Sequence, residues 1–185
     1  HAAVVRDIIR YLRRDMTHDG GGWYSAEDAD SEGQEGKFYC WTKVELEKIL
    51  SEKESAVVIR HYGITEHGNF EDHSHPDPLK NLNVLSIVDS KLTDADKALL
   101  ASARKKMDAV RTKRVRPHLD DKILSSWNGL MLGAVARAYA VLGDKEYLSA
   151  AKANNNFILK TFWDAKTKTM YHRWRDGERD TVQLL

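Results

Sequence analysis

A mainly α-helical fold with short β-hairpins at one end is what this sequence predicts, from three observations. Long segments carry apolar residues at helical spacing, polar capping residues stand where those segments begin, and aromatic pieces around glycine-bearing turns interrupt them. The 185 residues suit one domain, 1–185, with a sizeable core. Lys plus Arg number 29 and Asp plus Glu 28, a balance that argues against nucleic-acid binding. No apolar run approaches the roughly 20 residues of a membrane span, and no signal-peptide pattern opens the chain, so no membrane partner is expected. Cys40 is the only cysteine. One free thiol without a CxxC neighbour fits a reducing cytoplasm, and its place between Tyr39 and Trp41 reads as buried and structural.

The opening segment HAAVVRDIIRYLRRDM aligns Val5, Ile8, Ile9, Leu12 and Met16 on one helical stripe with arginines outside it. HDGGG then breaks the period. WYSAEDAD and KFYCWT read as strands around the turn SEGQEG. Thr42 and Glu45 form a capping box that starts the helix KVELEKIL, and SAVVIRHYG continues helically to Gly63. The chain is polar from 64 to 83, and NVLSIV reads as a short strand. Thr93 caps a helix bearing Leu99, Leu100, Ala103, Met107 and Val110. Two helices follow near 125–142 and 145–162, joined at Gly143-Asp144. The first, SSWNGLMLGAVARAYAVL, is apolar around most of its circumference, which predicts a buried inner helix beside a half-exposed partner.

The chain also repeats itself. YLRRDMTHDGGGWYS and ILKTFWDAKTKTMYH each run from helix end through a polar turn to an aromatic strand, matching Leu12 with Leu159, Met16 with Trp163 and Tyr24 with Tyr171. Both lead into hairpins, the second turning at Asp176-Gly177. Repeated helix pairs with hairpins at one end predict an α/α toroid. The close at DTVQLL without a further helix makes the chain a fragment of such a ring. Its uncovered apolar faces make a homo-oligomer a candidate state.

Three stretches carry polar groups dense enough for chemistry. In AEDADSEGQEGKFYCWT, Asp28, Asp30, Glu32 and Gly33 match the first, third, fifth and sixth positions of a calcium loop, but Tyr39 stands where the bidentate Glu belongs. On one strand Asp28 and Asp30 would share a face, as a catalytic carboxylate pair or as a solvated hairpin. In RPHLDDKILSSWNGLM, His118 suits acid or base work with Asp120 or Asp121 orienting it, and Lys122, Trp127 and Asn128 add a cation, a stacking face and an amide. Such a mixture suits a sugar, although helix caps and a core Trp would use the same residues. In HGNFEDHSHPDP, His67, His73, His75, Asp72 and Asp77 lack the framework of a metal site, so an exposed loop and no metal are expected. RKKMDAVRTKRVR reads as a solvated basic helix end.

GGWYSAEDADSEGQEGKFYCWT, HYGITEHGNF, NVLSI and RPHLDDKILSSWNGLM closely resemble signature segments of the highly conserved thioredoxin-domain family of the YyaL and spermatogenesis-associated type. The resemblance covers almost all of the chain. It implies a thioredoxin-like domain elsewhere in a longer polypeptide and an (α/α)6 six-hairpin toroid, similar to those of sugar epimerases and glycosidases, of which this chain is a middle piece. The resemblance carries over Asp28, Asp30, His118 and Asp121 as catalytic candidates, and Asp120, Lys122, Trp127 and Asn128 as binding candidates. The expected partners are a sugar or phosphosugar and the thioredoxin-like domain, with no cofactor. A scaffold serving that domain without catalysis is the alternative.

Overall fold

A computed structural model describes residues 1–73 and 75–180. In chain order the elements are α1 (Ala2–Asp15), β1 (Ala26–Glu27), β2 (Asp30–Ser31), β3 (Gln34–Glu35), α2 (Lys43–Ile49), α3 (Glu52–Tyr62), α4 (Asp94–Arg111), β4 (Leu119–Asp120), β5 (Ile123–Leu124), α5 (Ser125–Leu142), α6 (Lys145–Thr161), β6 (Trp163–Asp164), β7 (Thr169–Met170), β8 (Arg173–Arg175) and β9 (Glu178–Arg179). The chain is thus mainly helical with small hairpins. It divides into two compact units, residues 28–118 and the flanking segments up to 27 and from 119. No described helix is long and apolar enough to cross a membrane.

In the flanking unit α5 and α6 form the predicted helical hairpin. Gly143, in the left-handed region at φ 73°, ends α5, and Asp144 caps α6 by accepting the N–H of Glu146. Ile9, Leu12 and Met16 pack with Val135, Ala138, Tyr147 and Ala151 around Trp23. Ile123, Phe157, Ile158 and Phe162 form a second cluster. The expected all-round burial of α5 is not met. It buries Asn128, Val135 and Ala138, while Trp127 is 54% exposed and Leu130 and Val141 are each 76% exposed. An apolar circumference needs neighbours on every side, and α1 and α6 cover only part of it. The partner α6 buries Tyr147, Ala151, Asn154, Phe157 and Ile158.

The internal repeat survives with a shift of one residue. Met16 N–H donates to Leu12 O and Phe162 N–H to Ile158 O, and Tyr24 N–H returns to Met16 O as Tyr171 N–H returns to Phe162 O. Ile158 and Phe162 are therefore the counterparts of Leu12 and Met16, and all four are buried, whereas Leu159 and Trp163 are exposed. The second copy holds one more residue between helix and tyrosine. Its hairpin turns at Asp176 and Gly177, both left-handed at φ 52° and 84°, as a tight type I′ turn requires. The chain end after Asp180, including most of DTVQLL, lies outside the described residues.

In the 28–118 unit, three capping boxes start three helices: Thr42 with Glu45, Ser51 with Glu54, and Thr93 with Asp96. Trp41, Leu46, Val58, Tyr62, Leu100 and Met107 are among the core residues these helices bury. Two expected strands are absent. At KFYC the chain turns, with Tyr39 and Cys40 N–H groups both donating to Gly36 O. The cause is Arg114, whose Nη1 donates to the carbonyls of Lys37, Phe38 and Cys40 at 3.1, 2.9 and 2.8 Å. Carbonyls alternate in direction along a strand, so three within four residues converge on one nitrogen only in a turn. At NVLSIV the β-pairing is limited to one isolated bridge, Asn83 with Trp41. Cys40 is buried, as expected, and burial pushes its thiol pKa up.

The histidine loop folds back on the β2–β3 hairpin rather than lying free. The His75 ring accepts the N–H of Asp77 and bonds the Gln34 amide at 3.1 Å, and buried Asp72 accepts the Glu35 N–H. Among the described residues no group of three or more His, Cys, Asp or Glu side chains is placed to hold a metal.

Glu54 ties α3 to α4. Its carboxylate accepts from Lys106 Nζ at 2.7 Å, from Ser102 Oγ at 2.7 Å, and from the Ser51 N–H and hydroxyl. The Lys106 bond first, then the Ser51 N–H and the two serine hydroxyls, lower its pKa from 4.5 to about 2. A lowered pKa stabilises the fold above the ordinary carboxylate range and loses that contribution as pH falls through the folded value. The melting-temperature difference between the parent chain and Glu54→Gln is therefore expected to be full near neutrality, to shrink as pH falls below about 4.5, and to vanish near pH 2. Thermal melts across pH check this.

Candidate functional site

In the flanking unit the three-glycine loop lies against α6 because nothing larger fits. A Cβ at Gly22 would meet the Phe157 ring at 2.5 Å, and Gly21 is left-handed at φ 99° with the Ala153 carbonyl beside it. Two buried amides hold the loop. Asn128 Oδ1 accepts the Trp23 N–H at 2.8 Å, while its Nδ2 donates to Trp23 O and Leu124 O, both at 2.9 Å. Asn154 Nδ2 donates to Asn128 Oδ1 at 2.8 Å and to Gly21 O at 3.0 Å. The first turn of α5, the loop and the middle of α6 are thus joined through one amide pair.

This places an aromatic and charged group at the loop. The His18 ring lies edge-on to Trp174 at 4.9 Å and to Tyr24 at 5.9 Å, and its Nδ1 accepts the Gly20 N–H. Burial first, then the charges of Asp19 and Asp121, raise the Tyr24 pKa, so its hydroxyl is a donor at neutral pH. Lys122 Nζ lies 3.1 Å from Asp120. Arg175 Nε lies 2.7 Å from Asp121 Oδ1 as an ion pair, out of line for a hydrogen bond. Trp127, exposed on the first turn of α5, offers a free ring face.

The predicted residues divide between the units. Asp120, Asp121, Lys122, Trp127 and Asn128 belong to the flanking unit, and Asp28, Asp30 and His118 to the other. In the latter, Asp28 N–H donates to His118 O at 2.8 Å, which sets those two residues side by side through the backbone. The shared strand face expected for Asp28 and Asp30 does not form: β1 ends at Glu27, β2 begins at Asp30, and Asp28 Oδ1 instead accepts the Asp30 N–H across a bend. Asp28, Asp30 and His118 are exposed. Sequence reasoning missed His18, Tyr24, Asn154, Trp174 and Arg175. HDGGGWY read as a break in periodicity, although glycines this dense also mark a loop pressed closely against its neighbours. Chemically, the flanking unit combines ring faces with Asp120 and Asp121, each beside a cation, an arrangement suited to binding.

No family model matches the chain. It is similar to spermatogenesis-associated protein 20 of Homo sapiens, 33% identical over 208 residues that cover 99% of this chain and 26% of the relative. The Mus musculus counterpart is 32% identical over the same share of each. An uncharacterised Caenorhabditis elegans protein is 32% identical over 85% of the chain and 25% of its own length. The chain spans about a quarter of the length of the curated relatives it matches.

Asn128→Ala strands the buried Trp23 N–H and C=O, and is expected to cost about 3 kcal/mol. Trp127→Ala, at an exposed position, is expected to cost less than about 1 kcal/mol. Urea unfolding followed by circular dichroism separates the two. Equal losses would mean that the amide is dispensable.

Proposed function

We propose that this chain is a non-catalytic helical scaffold within a longer, cytoplasmic protein akin to spermatogenesis-associated protein 20, serving an attached thioredoxin-like domain. The exposed apolar stripe of α5 carries the reading: Trp127, Leu130, Ala134 and Val141 recur at helical spacing and face solvent. On this reading α5 is an inner helix of an (α/α)6 toroid, and hairpins elsewhere in the longer polypeptide cover it. The local engagement of Asn128, Asp120 and Asp121 supports a scaffold over an acid-base site.

A second reading, a carbohydrate-binding or carbohydrate-processing toroid, is favoured by the free indole of Trp127 beside the charge-balanced Asp120 and Lys122 segment. A sugar or phosphosugar would stack on that ring.

Leu130→Asp with Val141→Asp tests the scaffold. In the 185-residue chain the pair is expected to leave the melting temperature within a few degrees, since both side chains already meet water. In the longer protein the same pair is expected to lower it several times more. Equal shifts in both would contradict a covered face. A thermal-shift screen of sugars and phosphosugars on the longer protein, with a rise that Trp127→Ala abolishes, would instead select the carbohydrate reading.

A further inference from the structure

The 28–118 unit contains a cleft of about 520 Å³ lined by none of the catalytic or binding candidates Asp28, Asp30, His118, Asp120, Asp121, Lys122, Trp127 and Asn128. Leu79, Leu82, Val115 and the buried Cys40 thiol give it an apolar floor. Its charged residues are unevenly matched. Glu32 is held by Lys37 at 2.8 Å. The Glu45 carboxylate accepts the Thr42 N–H and hydroxyl and faces Arg114 at 3.4 Å. Both acids of the cleft are therefore neutralised. Lys80 and Lys113 also line it, both exposed, and neither has an ion-pair partner among the described residues.

The excess positive charge therefore rests on Lys80 and Lys113, while Arg114 stays with Glu45. Three carbonyls and the Trp41 ring, 4.0 Å from the guanidinium, lock it at the cleft wall, where it cannot swing out to water. Two unmatched ammonium groups over an apolar floor fit an occupant with a dianionic head and an apolar body. We infer that this cleft binds an organic phosphomonoester, its phosphate held by Lys80 and Lys113 and its apolar body on Leu79, Leu82 and Val115. The site stands apart from the scaffold reading, because it uses no residue of α5 and requires no partner domain.

Calorimetric titration of the 185-residue chain with phenyl phosphate, phenol, benzoate and inorganic phosphate tests it. Phenyl phosphate is expected to bind saturably, to weaken as salt is raised, and to lose roughly ten-fold in affinity for each of Lys80→Gln and Lys113→Gln. Lys80→Arg with Lys113→Arg keeps the charge and is expected to retain binding, and unchanged melts of all variants would show that the fold is intact. Phenol presents the apolar body alone and inorganic phosphate the head alone, so both are expected to bind more weakly. Absence of saturable binding, binding indifferent to the double glutamine variant, or benzoate or inorganic phosphate binding as tightly as phenyl phosphate would each overturn the assignment.

Discussion

The amide of Asn128 is the constraint on which the flanking unit depends. A loop of three glycines has no side chains with which to hold itself against a helix, and its backbone groups are buried where water cannot serve them. Asn128 supplies one acceptor and two donor contacts at one point, and Asn154 adds the bond to Gly21. With the loop fixed, Trp23 enters the core between α1, α5 and α6, and His18 and Tyr24 take their places beside Trp174. Without it, the hairpin of α5 and α6 would keep its helices but lose the definition of its loop end.

Arg114 plays the matching part in the other unit. One planar cation gathers three carbonyls that no strand could present together, lies over Trp41, and faces the acid of the Thr42 capping box. In both units a group whose residue type suggests chemistry is committed to backbone satisfaction. Burial explains why: a buried amide or guanidinium left without partners costs more than most contacts return, so the fold engages each one. Trp127, Lys80 and Lys113, by contrast, are exposed.

Much of the architecture was legible in the sequence. Helix starts announced themselves through Thr42 and Thr93, because a cap is a local arrangement written in consecutive residues, whereas the fresh start at Ser51 reads in the sequence as a continuation. The turn at Asp176-Gly177 was legible for the same reason. The failures lie where distant residues decide. KFYC alternates like a strand, and only Arg114, far along the chain, bends it. The repeat was misaligned by one position because adjacent apolar residues, Ile158 and Leu159, both fit the pattern, and burial and the backbone hydrogen bonds choose Ile158. Of the candidate site, Asp120, Asp121 and Asn128 were named from the sequence as candidates, but the partners Arg175, Trp23 and Asn154 follow from the tertiary fold and from no motif.

Native-state hydrogen exchange at the Trp23 amide tests the role of Asn128 most directly. If that amide anchors the loop, the Trp23 N–H exchanges only through an opening nearly as costly as unfolding of the helices around it, although it sits in a glycine loop. Exchange at the rate of an exposed loop amide, with the helices still protected, would contradict the account.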